Sequence, residues 1–198
     1  MTYSPHAYKI LNATTEYFDT MNRAETIQQK IADLKQMRNA EKITEKGFKE
    51  MAAPFKAEYD KIQREASNKT VTRIAEIRQA YFQRVDAWAE PTPGKMHPDL
   101  KMLTGTLALT ADQLEKLGEK HSKNPVMTGA IRQYAADRKL DVYFSAPTPE
   151  AKKAAFDSLC ASAANVAKNG GGIQQAVYTD RSSFEKYALP AALQDCGE

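Results

Sequence analysis

The sequence predicts an all-α fold. A long helical hairpin, an antiparallel coiled-coil-like rod over residues 1–90, leads into a small multi-helix module with a C-terminal docking segment over 91–198. Three observations point there. Apolar side chains recur at helical spacing from about Thr14 to Trp88 with few breakers. A Pro- and Gly-rich stretch, "EPTPGKMHP", then interrupts the pattern. Beyond it, helix-start signals follow one another at Thr110, Asn124 and Thr148.

In the rod, Ile27, Ile31, Leu34 and Met37 define one helical face, and the polar stretch "RNAEK" ends it. Glu25, Lys30, Asp33, Lys35, Glu41 and Lys42 interleave opposite charges and read as a solvated face. Thr44 is an N-cap for a second helix of about 45 residues, roughly 65 Å long at 1.5 Å per residue. Its apolar or small positions run Phe48, Met51, Phe55, Tyr59, Ile62, Ala66, Thr70, Ile74, Ile77, Tyr81, Val85 and Trp88. Phe48, Tyr59, Thr70 and Tyr81 lie eleven apart, as do Phe55, Ala66, Ile77 and Trp88. Eleven residues in three turns match the helix's own period closely, so this stripe can pair along an almost straight helix. Pro54 removes a backbone donor and predicts a kink or break near residues 50–54. "SNKTVT" is a weak helix former in the middle. The first helix is too short to cover the whole stripe. Ile74, Ile77, Tyr81, Val85 and Trp88 therefore form a candidate interface, to be covered by the C-terminal region or by a second copy of the chain.

In the module, "DLKMLT" makes a short helix. Thr110 and Gln113 form a capping box that places Leu114 and Leu117 inward. Asn124-Pro125 opens a helix with Met127, Ile131, Tyr134 and Ala135 on one face. Thr148-Pro149-Glu150 opens an Ala-rich helix with Phe156, Leu159, Cys160, Ala163 and Val166 inward, and "NGGG" stops it. A short helix from about Ser182 to Leu189 docks through Phe184 and Tyr187. "DVYFS", residues 141–145, is a brief extended segment without a partner strand.

Composition excludes several functions. The formal net charge is +3, and residues 1–90 hold 15 basic and 13 acidic groups, so no half is a basic nucleic-acid footprint. No stretch nears the ~18 apolar residues of a membrane span, and "MTYSPHAYKI" lacks the apolar run of a signal peptide. Cys160 reads as a small buried hydrophobe and Cys196 as exposed; a bridge between them stays open. His6, His97 and His121 show no paired metal spacing, and His121 is explained by the dipole at a helix end. "NGGGIQQ" lacks the preceding strand and following lysine of a phosphate loop. Tyr81-Phe82 and Tyr143-Phe144 read as packing anchors. No catalytic, cofactor-binding or metal-ligating set emerges, and the chain is expected not to be an enzyme.

The leucines of "LKMLTG", the capping box of "LTADQLEKL" and the stretch "KNPVMTGAIRQYA" resemble small uncharacterised proteins of tailed bacteriophages and prophages. Those proteins are encoded in structural gene modules near the capsid gene. The preceding charged helix, "TEKGFKEM…AEIRQAYFQRVDAWAE", extends the resemblance over about residues 44–139. It implies a virion structural or assembly protein, scaffold-like or head-associated, in the host cytoplasm or the virion. Its partners would be capsid or other virion proteins, and the rod would make it a homodimer or higher homo-oligomer. An alternative is a phage-encoded inhibitor or regulator that binds a host protein.

Overall fold

The computed structural model describes residues 3–105, 108–170 and 172–194. Cys196 lies outside them. Among the described residues the regular elements are all helices, and the one ladder-like feature is an isolated bridge between Tyr3 and Gln194. The helices are α1 (Pro5–Arg23), α2 (Glu25–Asn39), α3 (Glu45–Ala89), α4 (Leu100–Thr104), α5 (Ala111–Lys120), α6 (Pro125–Asp137), α7 (Pro149–Asn169), α8 (Gly172–Val177) and α9 (Arg181–Tyr187). Among the described residues no helix is long and apolar enough to cross a membrane.

Packing divides the chain into two units that interleave along the sequence. The first holds Pro5–Ile77 and Leu159–Leu189; the second holds the described residues of Met1–Ser4, Arg78–Ser158 and Pro190–Glu198. The sequence-based boundary near residue 90 followed the Pro-rich linker. The units instead divide α3 and α7, because each helix carries apolar positions along its whole length that bury in both units.

In the first unit, α1 is a helix that sequence patterning had not separated from the rod. Pro5 occupies its first position, where a missing N–H costs nothing. Ala7, Ile10, Leu11, Ala13, Thr14, Tyr17 and Phe18 form its buried face. It ends at Arg23, and α2 begins one residue later. On α2, Ile27 and Leu34 are buried but Met37 is exposed. All six charges of the expected solvated face are exposed. Leu34 joins Phe48 and Ala52 of α3 in one apolar cluster, with Ile43 and Phe55 beside it. The Thr44 hydroxyl accepts the Gly47 N–H at 3.1 Å and caps α3 as expected.

α3 continues through Pro54 as one long, bent helix, so of the expected kink or break no break occurs. Pro54 and Glu50, whose carbonyl loses its partner, are both exposed, so water can satisfy that oxygen. Farther along, Ala66, Thr70, Ile74 and Ile77 are buried. α1 lies against this part of α3: Arg73 pairs with Glu16 at 2.5 Å, and Tyr17 sits beside Tyr59 and Gln63, where burial raises its phenol above the usual range. On its other side α1 meets α8 and α9. The buried Thr14 hydroxyl donates to the Tyr178 carbonyl at 2.9 Å, and the Tyr8 hydroxyl donates to Glu185 at 2.7 Å. Arg181 holds the same carboxylate at 2.9 Å and covers the Tyr8 ring. Phe184 is buried as expected, against Tyr178. Tyr187, the last residue of the short α9, is 66% exposed and does not dock as expected. Gly170, at φ +78°, stops α7 in the left-handed conformation that glycine adopts without strain.

In the second unit, Tyr81 and Val85 are fully buried. The Tyr81 ring stacks on Phe156 of α7 with centroids 4.0 Å apart. Lys152 is also fully buried, with its ammonium donating to the Gln194 carbonyl at 2.9 Å and lying 5.4 Å above the Trp88 ring. Asp157 binds Arg78 and Asp86 binds Lys153 around the edge of this contact. Phe156 is 0% exposed, so its truncation leaves a cavity beside Tyr81. Phe156→Ala is expected to cost about 3–5 kcal/mol, read by denaturant unfolding followed by circular dichroism; a loss below about 1 kcal/mol would contradict the described packing.

Candidate functional site

The second unit concentrates its polar detail between residues 95 and 146. The linker is short but tied at both ends. Lys95 donates to the Ala87 and Glu90 carbonyls at the end of α3, and its own carbonyl accepts from the Asn124 side chain at 2.8 Å. Asn124 also caps α6, accepting the N–H groups of Val126 and Met127 at 3.1 and 3.2 Å. The expected Thr110–Gln113 capping box is complete. Leu103, Leu114, Leu117, Ile131, Tyr134 and Ala135 then close one apolar core among α4, α5 and α6.

Residues 141–145 form neither helix nor strand and alternate in burial: Val142 and Phe144 are partly covered, while Tyr143 is 78% exposed and anchors nothing. With no neighbouring strand, side chains satisfy the backbone. The Tyr143 N–H donates to Glu115 at 2.8 Å, and Arg132 donates to the Ala146 carbonyl at 2.7 Å while covering the Phe144 ring. Phe144 lies directly on Gly118 of α5: a β-carbon there would stand 2.4 Å from the ring.

Two features follow from this arrangement. The first is a shallow groove with an apolar floor of Met102, Leu109 and Leu117, rimmed by Asp99, Gln113, Lys116 and Lys120. Met102 is 49% exposed on it, and Leu109 is held in place by its N–H donating to the Tyr134 hydroxyl at 3.1 Å.

The second is a cluster of His97, Asp99 and His121, whose candidate ligand atoms all lie within 4.8 Å of one another. Asp99 is the hub. Its Oδ2 accepts from His121 Nε2 at 2.9 Å and from Lys120 Nζ at 2.7 Å. Its backbone N–H donates to His97 Nδ1 at 3.1 Å, and Oδ1 lies 3.4 Å from the same nitrogen. The hydrogen bonds from Lys120 and then His121 hold the Asp99 carboxyl at about 2, well below the usual carboxylate range. The His97 and His121 ring centroids are 4.5 Å apart. His121 is buried, His97 exposed.

Sequence reasoning assigned no metal ligands because these histidines have no paired spacing. They lie 24 positions apart, and only the turn of the linker onto the end of α5 joins them. His121 does end α5, as its position in the sequence implied. For the candidate interface residues the sequence left two covers open, the C-terminal region or a second copy. Ile74, Ile77, Tyr81, Val85 and Trp88 are all buried within the chain, at 8% exposure or less. These five are covered by the chain's own residues, with Phe156 of α7 on Tyr81.

Two substitutions test this construction. Asn124→Ala removes a cap and the tie to the linker together and is expected to cost about 1–2 kcal/mol by chemical denaturation. Gly118→Ala would gain about 1 kcal/mol on helix propensity alone, but displacing Phe144 is expected to make it a net loss of about 1–3 kcal/mol. In a Phe144→Ala background the same change should instead stabilise; a net gain in the parent protein would refute the contact.

Comparison with protein-family models, with curated proteins and with solved structures finds no match to this chain.

Proposed function

We propose that this chain is a non-enzymatic phage structural or assembly protein, scaffold-like or head-associated, that works by protein–protein contact. The groove of Met102, Leu109 and Leu117 is the observation that carries the reading. An apolar floor with a partly exposed methionine adapts to a partner's side chains. The rim lysines Lys116 and Lys120 favour an acidic partner surface and speed its encounter. The resemblance of residues 44–139 to proteins of phage structural modules supplies the class of partner: a capsid protein or another virion component. The capped helices around the groove support the same reading, since a rigid docking face loses little entropy on binding.

The test is purification of the tagged chain from cells expressing the surrounding phage or prophage genes. A capsid, portal or other particle protein is expected to co-purify in stoichiometric amount. Met102→Glu should lower its recovery about tenfold or more, equivalent to at least ~1.4 kcal/mol, with the thermal midpoint of the free chain unchanged. Recovery of a single host protein and no particle protein would reject this reading in favour of a host-directed inhibitor.

A further inference from the structure

We propose that His97, Asp99 and His121 form a binding site for a first-row divalent transition ion such as zinc, which pins the linker to the end of α5. The inference is independent of the docking function.

The chemistry of the donor set comes first. Two imidazoles and one carboxylate are the ligands that zinc and its neighbours select, whereas calcium and magnesium prefer oxygen alone. Geometry is the second support. A tetrahedral ion with ligands at about 2.0–2.1 Å holds its donor atoms about 3.3 Å apart. Here Asp99 Oδ2 and His121 Nε2 stand 2.9 Å apart, Asp99 Oδ1 and His97 Nδ1 3.4 Å apart, and one ligand atom from each residue lies within 4.8 Å of the other two. An ion replacing the shared proton between Asp99 and His121 needs that pair to open by only ~0.4 Å. His97 Nδ1 accepts the Asp99 N–H at 3.1 Å, and an ion would take the place of that hydrogen bond on the same nitrogen.

Access and competition complete the picture. The His97 side chain is 42% exposed, Asp99 19% and His121 8%, so an ion can enter from solvent and keep water in its open position. The present occupant of the cationic position is Lys120, whose ammonium lies 2.7 Å from Asp99 Oδ2. Its side chain is 60% exposed and can swing into water. The lysine acts as a built-in competitor: it neutralises Asp99 without the ion and yields when the ion arrives. This accounts for a carboxylate surrounded by donors and gives the site an unusual signature, in which removing a neighbouring positive charge strengthens binding.

The experiment is calorimetric titration of the full chain, freed of metal by a chelator, with zinc chloride. One zinc per chain is expected, with excess calcium or magnesium failing to compete. His97→Ala, at an exposed position that supports no core packing, should weaken binding about tenfold or more. Lys120→Gln should tighten it severalfold. Histidine side-chain nitrogen NMR should show the His97 and His121 signals moving together with zinc while His6 stays in place. Absence of stoichiometric binding, or an affinity unchanged in both His97→Ala and Lys120→Gln, would overturn the site. A folded His97→Ala protein with a native thermal midpoint ensures that any loss belongs to the ligand.

Discussion

The structure depends on one helix that cannot be left in water. α3 carries its apolar stripe for 45 residues, and no single short helix can cover it. The chain solves this with several partners. α2 closes over Phe48 and Ala52 near the start, α1 lies against the stretch around Tyr17, Tyr59 and Arg73, and α7 places Phe156 on Tyr81. Burial of each large side chain in the stripe contributes about 1.5–3 kcal/mol, so the coverage accounts for much of what holds the chain together. It also buries the stripe from Ala66 to Trp88, while Met51 stays exposed and Phe55, Tyr59 and Ile62 are partly covered. A pattern that reads as an oligomerisation seam is satisfied within one chain.

Around that constraint the polar groups do local work. Caps at Thr44, Thr110, Asn124, Thr148 and Asp180 each satisfy helix N–H groups that would otherwise lack partners. The linker uses the same logic at longer range, with Lys95 closing the end of α3 and Asn124 holding Lys95. Once the linker is held there, His97 and Asp99 have no choice but to meet Lys120 and His121. The cluster is thus a consequence of how two helix ends are finished, and the groove beside it shares Asp99 and Lys120 with it. Any cation bound at the cluster would change the charge along the groove's rim.

Local structure was largely legible in the residues. Helical period, capping boxes and Asn-Pro or Thr-Pro starts are short-range signals, and they place α3 through α7 with their buried faces: Leu114 and Leu117, Met127 and Ile131, Phe156 and Val166 are all inward. α1 carried the same kind of signal in Pro5, Ile10, Leu11, Tyr17 and Phe18, hidden by its near-continuity with α2. Pro54 does not divide α3, because it and Glu50, whose carbonyl it frees, are open to water. Tyr187 and Tyr143 misled because aromatic character alone does not say which side of a short segment faces inward.

The sequence by itself determined an all-helical chain, the extent of its long helix and the caps that bound the helices after the linker, because these depend on residues within a turn or two of one another. Only the tertiary structure decided which helices cover the stripe of α3, that the covering is internal, and that His97, Asp99 and His121 stand together. Those outcomes rest on which distant faces find each other, and residues 24 or 75 positions apart carry no periodicity that announces their meeting.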